Sequence, residues 1–494
     1  MISHNGGTPI RLSASSLDRL DAGVAVPRYD RTALTCGIAH IGVGGFHRAH
    51  QALFTDAVLS AGAKDWAICG LGITERDHAM KAALQAQDFL YTVVARSAAR
   101  EEARVVGSII DFRVSGPDPM PVLDALTDPA TRIVSMTITE AGYFFLGDSG
   151  ALDLDNPMIR ADLAGPRSPR TVIGVLTEAL RILRERRQSP PTLLSCDNLP
   201  HNGRRLRAML STFAREIDPS LAGFIESEVH LPCTMVDRIT PATREVDKEH
   251  LRTQYGIDDR WPVFCEDYLQ WVVEDDFGRG RPDWSIAGAQ FVSDVVPYEL
   301  MKIRLLNGSH SALSYLSYLL GHRDVDRAMA DPLVSRFVRD YMAEIAPTVG
   351  AVPGIDLGSY QATLVERFSN PAISDQVTRL AMDGSRKIPN SIADPLQEIT
   401  AKGLPLDHAA FAIGAWIRFL AGSDEAGVPI AVDDPYADKL KAAAAACRED
   451  ARPFLSLKEV FPAAVANDPR FAGSVSRHLR DIRSLGIRKA LSSL

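Results

Sequence analysis

The sequence predicts an α/β protein, with a doubly wound N-terminal domain over residues 1–295 and a mostly α-helical C-terminal domain over 296–494. Two patterns and a length lead to that reading. From about residue 36, short apolar runs alternate with amphipathic stretches, the order that builds βαβ units and a parallel sheet. After about residue 295 the alternation gives way to long helical patterns with few β-branched runs. A chain of 494 residues exceeds what one hydrophobic core usually serves, so two large domains are expected.

A polar, irregular lead-in runs to about residue 36. The strand candidates are IAHIGVG (38–44), DWAICGLG (65–72), FLYTVVA (89–95), RIVSMTIT (132–139) and TLLSC (192–196), with helical spacing in RAHQALFTDAVLSAG and SPRTVIGVLTEALRILRERR. That order is the Rossmann-type, doubly wound one. In the second domain YELMKIRLLNGSHSALSYLSYLLGH, LVSRFVRDYMAEIAP and HAAFAIGAWIRFLAG read as helices. KAAAAACRED is an Ala-rich helix and not a spacer, and the chain carries neither internal repeat nor low-complexity linker.

With 46% hydrophobic and 23% charged residues the chain has an ordinary globular balance, and its net charge of −8 argues against nucleic acid or an anionic membrane as partner. A small, neutral substrate is expected instead. Six scattered cysteines (Cys36, Cys69, Cys196, Cys233, Cys265, Cys447) suggest neither a disulfide framework nor a thiolate zinc site. No apolar run approaches the roughly 18 to 20 residues of a membrane span, and the first residues lack the pattern of a signal peptide, so a cytoplasmic protein is expected.

The first strand runs directly into a Gly-rich turn and a helix near Arg48, the order that sets a pyrophosphate on backbone N–H groups. Ile41, Gly42, Val43, Gly44, Gly45, Phe46 and Arg48 are therefore the expected cofactor residues. His47 stands where the third glycine of GxGxxG would fall, so a Gly-rich turn without nucleotide is the competing reading. After the next strand Glu75 or Asp77 could accept hydrogen bonds from ribose hydroxyls, favouring NAD over NADP, while the neighbouring Arg76 could instead meet a 2′-phosphate.

Lys302, Asn307 and His310 fall within an arc of about 140° on an α-helix, with Glu299 inside it. A lysine whose proton affinity is lowered by apolar surroundings can take the hydroxyl proton of an alcohol as hydride leaves carbon, and Asn307 can donate to the developing alkoxide. The bland alternative is a lysine reaching from a helix end with polar neighbours that satisfy buried groups. Three further polar clusters favour chemistry: SCDNLPHNG (195–203), MVDRITP (235–241) and RLAMDGSRKIPN (379–390). His47 and His50 share a helix face, but no carboxylate or thiolate cluster completes a metal set, and a metal-independent reaction is expected. No G-x-S-x-G elbow supports a serine nucleophile.

These motifs, with TITEAGY, ELMKIRLLNGSH, VPGIDL, RFSNPAISDQ and the K-x(4)-N-x-x-H element, resemble the polyol-specific long-chain dehydrogenases of the mannitol dehydrogenase family over nearly the whole chain. The resemblance implies a secondary-alcohol dehydrogenase that interconverts a polyol and its ketose with NAD, D-mannitol and D-fructose first. It implies Lys302 as general base, Asn198 and Asn307 as the pair that stabilises the alkoxide, and Glu299 on a proton path. Asp237, His310 and Arg379 would hold substrate hydroxyls, and Asp77 corresponds to the acid of the ribose loop. Relatives act on arabinitol, sorbitol, mannitol 1-phosphate, fructuronate or tagaturonate; Arg379 and Lys387 could meet a charged substrate. Members are often monomers. The rival from another class is a nucleotide-binding regulator without turnover.

Overall fold

The computed structural model describes residues 8–116, 118–146, 150–373 and 375–494. The start of the lead-in (1–7) and Ser374 within RFSNPAISDQ lie outside the described residues. The chain divides into two compact units, Met1–Val295 and Val296–Leu494.

The first unit is organised by five parallel strands: β1 (Cys36–Ile41), β2 (Ala67–Gly72), β3 (Ile109–Val114), β4 (Ile133–Met136) and β5 (Thr192–Ser195). Their spatial order is β3-β2-β1-β4-β5, with every neighbouring pair parallel. This is the order of a dinucleotide-binding fold, in which the direction of winding reverses beside β1. Apolar side chains leave both faces of these strands. Ala39, Ile41, Cys69, Leu71, Val134 and Met136 pack under helices Met120–Leu126, Val172–Glu185 and Asn202–Ile217. Ile38, Ile68, Ile133 and Leu194 face helix Gln51–Ser60 and the Trp271–Trp284 pair. A sheet buried on both faces explains why its strands read as continuous apolar runs.

One strand candidate changes place. Tyr91–Arg96, expected in the parallel sheet, lies in a separate three-stranded sheet, parallel to Val263–Glu266 and antiparallel to Glu101–Val106. The outer place beside β2 is taken by Ile109–Val114, whose alternating polar and apolar residues suit a half-covered edge. Gly107 and Ser108 separate Glu101–Val106 from Ile109–Val114: the Gly107 N–H donates to Asp56 Oδ1 (2.9 Å) and the Ser108 hydroxyl to the Ala52 carbonyl (2.8 Å). A third sheet joins Thr234–Asp237, Gln270–Glu274 and Gln290–Val292.

The second unit is helical, with no strand among its described residues beyond isolated bridges. Helices Gly308–Leu319, Asp407–Phe419 and Pro469–Leu485 pack in sequence through its core. Among all described residues, no helix is long and apolar enough to cross a membrane.

Gly42 closes β1 at φ +91°, and a Cβ there would sit 2.2 Å from the Thr137 carbonyl oxygen. Replacing it therefore combines a disfavoured backbone region with a clash against rigid backbone. Gly42→Ala is expected to lose at least about 2 kcal/mol and to lower the melting temperature by several degrees. Calorimetry on the full chain checks this; an unchanged melt would mean the turn re-forms without positive φ.

Candidate active site

Beyond β1 the chain turns at Gly42 and enters the short helix Gly45–Ala49. Gly42 N–H donates to the Leu71 carbonyl (3.1 Å), while the Gly42 carbonyl accepts from Gly44 N–H (2.7 Å) and the Thr137 hydroxyl (2.7 Å). A Cβ on Gly44 would meet nothing nearer than 3.9 Å, and one on Gly45 nothing nearer than 3.6 Å, so the turn is uncrowded beside both glycines, just ahead of a helix whose first N–H groups have no intrahelical partner. The turn therefore fits a pyrophosphate cradle.

Behind it the structure places side chains that spacing could not. Arg48, expected at the cofactor, is 1% exposed; its guanidinium donates to the Trp261 carbonyl and to Gly44 O (3.3 Å), holding the turn from inside. His40 stacks on His47, ring centroids 3.4 Å apart, and reaches Ser135 Oγ (2.8 Å) and Thr137 Oγ1 (3.1 Å). Burial pushes the His40 pKa down to about 3 and the His47 pKa well below its usual value, so both rings are neutral. His50 takes another direction and meets the Gln270 carbonyl at 2.9 Å. Among the described residues no three His, Cys, Asp or Glu side chains converge as metal ligands would.

In the loop after β2, Asp77 Oδ2 accepts from the N–H groups of Ile73 (3.0 Å) and Thr74 (2.8 Å) and from the Thr74 hydroxyl (2.8 Å). One carboxylate oxygen is thus committed to shaping the loop, on which Glu75 and Arg76 are exposed. Gly72 is required beneath it, since a Cβ would lie 2.3 Å from Asp77 Cβ.

Asn198 and Asp237 stand at strand ends of the same unit. Asn198 is exposed on the loop after β5, and Asp237 is buried at the end of strand Thr234–Asp237. Next to Asn198, the buried Asp197 carboxylate accepts from Ile138 N–H (3.0 Å), Thr139 N–H (2.9 Å) and the Tyr143 hydroxyl (2.8 Å). Burial raises the Asp197 pKa while these donors oppose the rise.

In the second unit, helix Val296–Met301 continues through a π-helical segment, Lys302–Asn307, into helix Gly308–Leu319. This corrects the α-helical arc expected from spacing: i→i+5 hydrogen bonding brings Lys302 and Asn307 nearly onto one face, where α geometry would hold them about 140° apart. Lys302 and Glu299 are buried. Arg304 anchors the segment to Glu398 (2.7 Å), Asp394 (2.9 Å) and the Thr348 carbonyl. A second π segment, Pro389–Ala393, packs against the first. Gly308 makes that approach possible, because a Cβ would meet the Ser391 carbonyl at 2.9 Å.

His310 lies against the Phe368 ring, centroids 4.3 Å apart. Arg379 is exposed and paired through two hydrogen bonds with Asp375 (2.7 and 2.5 Å), and Lys387 Nζ donates to the Arg379 carbonyl (3.3 Å). Asp375 was not singled out from the sequence; it precedes the helix Val377–Ala381, and the pairing with Arg379 is made across that helix start.

Residues 36–286 match the model of the mannitol dehydrogenase Rossmann domain, and residues 294–483 that of the mannitol dehydrogenase C-terminal domain. The chain belongs to the mannitol dehydrogenase family. It is 41% identical to a mannitol 2-dehydrogenase of Aspergillus fumigatus, over 98% of this chain and 99% of that one, and 38% identical to mannitol dehydrogenase 2 of Saccharomyces cerevisiae (99% and 98%). Among solved structures it is similar to the Pseudomonas fluorescens mannitol 2-dehydrogenase ternary complex with NAD and D-mannitol, at TM-score 0.90 and 41% identity (98% and 99% covered). It is also similar to a substrate-free D-sorbitol dehydrogenase, at TM-score 0.89 and 36% identity (97% and 100%).

The neutral His40 predicts a pH dependence of this unit. The unfolded chain gains a proton on His40 as pH falls through about 6.5, while the folded protein waits until about 3. Stability is thus full above about 6.5 and declines between these values. Lowering the pH from 7.5 to 5.5 should remove about 1.4 kcal/mol through this residue. Denaturant titrations of wild type and His40→Asn at the two pH values check it, the variant losing correspondingly less.

Proposed function

We propose that this chain is a metal-independent, NAD-dependent polyol dehydrogenase that oxidises D-mannitol to D-fructose. The observation that carries the substrate is the likeness, over nearly the full length of both chains, to a structure holding NAD and D-mannitol. The open turn Gly42–Gly45 supports a cofactor pyrophosphate, and Ile41, Val43 and Phe46 flank it. Glu75 and Asp77 supply the acidic character of the ribose loop, the latter by shaping it. NAD accepts the hydride when bound.

In this reading Lys302 is the base that takes the hydroxyl proton, and Glu299, three residues before it on the same helix, passes it onward. Asn198 and Asn307 donate their amide N–H groups to the oxygen as negative charge grows on it. Asp237 and His310 hold neighbouring hydroxyls. Arg379 and Lys387 serve the outer hydroxyls; because Asp375 already neutralises Arg379, a neutral polyol suits this cluster better than a keto-uronate. The likeness to a D-sorbitol dehydrogenase makes D-sorbitol the second substrate to test.

A spectrophotometric screen of D-mannitol, D-sorbitol, arabinitol, D-fructose, fructuronate and tagaturonate with NAD(H) and NADP(H) tests the substrate, and D-mannitol with NAD is expected to lead. Activity should survive exhaustive chelation; loss that zinc restores would overturn the mechanism. Lys302→Ala is expected to lower kcat by about 10² to 10⁴-fold with NADH affinity nearly unchanged. Asn198→Ala and Asn307→Ala should each lower kcat by about 10²-fold or more. A folded, NADH-binding Lys302→Ala protein with wild-type turnover would return the helix to a structural role.

A further inference from the structure

Asn202 opens helix Asn202–Ile217, yet its side chain works mainly on another strand. Its Nδ2 donates to the carbonyls of Asp197 (3.2 Å) and Thr234 (2.9 Å), and its Oδ1 accepts from the N–H groups of Thr234 (2.9 Å) and Gly203 (2.8 Å). A primary amide has two donor hydrogens and two acceptor lone pairs, and all four positions are used here by main chain. The side chain is 0% exposed.

The two segments so joined are those that carry Asn198 and Asp237. Asp197 immediately precedes Asn198, and Thr234 begins the four-residue strand that ends at Asp237, about 10 Å along. A second link runs beside the first, with the Thr234 hydroxyl donating to the Ser195 carbonyl (2.8 Å). The seat is tight: a Cβ on Gly203 would meet the Leu231 carbonyl at 2.4 Å and that of Pro232 at 2.6 Å. Such a fully satisfied, water-excluded amide leaves the two segments little freedom to slide.

We propose that Asn202 is a positioning residue for the reaction: it fixes the loop of Asn198 relative to the strand of Asp237, and so sets where the alkoxide donor stands against the substrate hydroxyl contact. The inference rests on the roles given to Asn198 and Asp237 above. It separates from plain structural support because Asn202 would act through Asn198, and a misplacement of about 1 Å at reacting groups is worth about 10²-fold in rate.

The test uses Asn202→Ala and Asn202→Asp in the full chain, each alone and combined with Asn198→Ala. Measurements are kcat and KM for D-mannitol with NAD, NADH affinity, melting temperature and the primary isotope effect with D-mannitol deuterated at both of its equivalent carbons, C2 and C5. The expected result is a kcat at least about tenfold lower with NADH affinity retained, and an isotope effect on kcat no smaller than in wild type. In the Asn198→Ala background the further loss should largely vanish. If the Asn202 variants do not fold, Thr234→Val, which removes the second link with nearly unchanged shape, is read in the same cycle with the same expectation. Wild-type kcat in the folded variants, or a loss undiminished by Asn198→Ala, overturns the inference. A wild-type protein that oxidises none of the polyols overturns the reaction reading itself, and the inference with it; that outcome is distinct from an active enzyme indifferent to Asn202.

Discussion

Parallel strands that stop side by side leave their last backbone groups without a ladder partner, and a buried unpaired group costs about 1 to 3 kcal/mol. At the carboxyl edge of this sheet side chains meet that demand. Thr137 covers the Gly42 carbonyl, Asp197 covers the N–H groups of Ile138 and Thr139, and Thr234 covers the Ser195 carbonyl. The Thr137 and Asp197 bonds also tie strand ends to their sheet neighbours, and the Thr234 bond ties β5 to the strand Thr234–Asp237 of another sheet. The turn at Gly42 and the loop that bears Asn198 are consequently fixed by the same hydrogen bonds that satisfy the sheet.

Buried arginines extend the pattern. Arg48 grips the Gly44 and Trp261 carbonyls, and Arg238, one residue past Asp237, donates to the carbonyls of Ala49 (2.7 Å) and Glu266 (2.9 Å). A guanidinium presents several donors in a rigid fork, so it can bind two chain segments that share no strand pairing. Placed beside the Gly42–Gly45 turn and the end of strand Thr234–Asp237, such groups stiffen the backbone there.

The second unit solves a different problem. Its helix Val296–Leu319 carries Lys302 and Asn307 five residues apart, and five residues do not complete a repeat of an α-helix. One π-helical turn brings them into line. Arg304, held by Asp394 and Glu398 on another side, and the close seat of Gly308 against Ser391 stabilise that widened turn.

Much of this was legible in the chain because it is local. The apolar runs at β1, β2, β4 and β5, the glycines after β1 and the long helical periodicity past residue 295 depend on neighbours a few residues away, and they announced the doubly wound fold and the helical unit. The motif strings likewise announced the family, since residue types and spacing are all that a motif contains. Other features came only with tertiary structure. Tyr91–Arg96 has the composition of a core strand, and only the competition for partners sends it to Val263–Glu266 while Ile109–Val114 takes the sheet edge. Arg48 was expected among the cofactor residues, and only packing shows its guanidinium folded behind the turn onto the Trp261 and Gly44 carbonyls. Asn202 sits inside the motif SCDNLPHNG, but nothing in the string indicated its bonding, because two of its four hydrogen bonds reach Thr234, 32 residues away. Local pattern decides which elements form; which backbone groups those elements leave unpaired, and which side chain is near enough to pair them, depends on packing between distant segments.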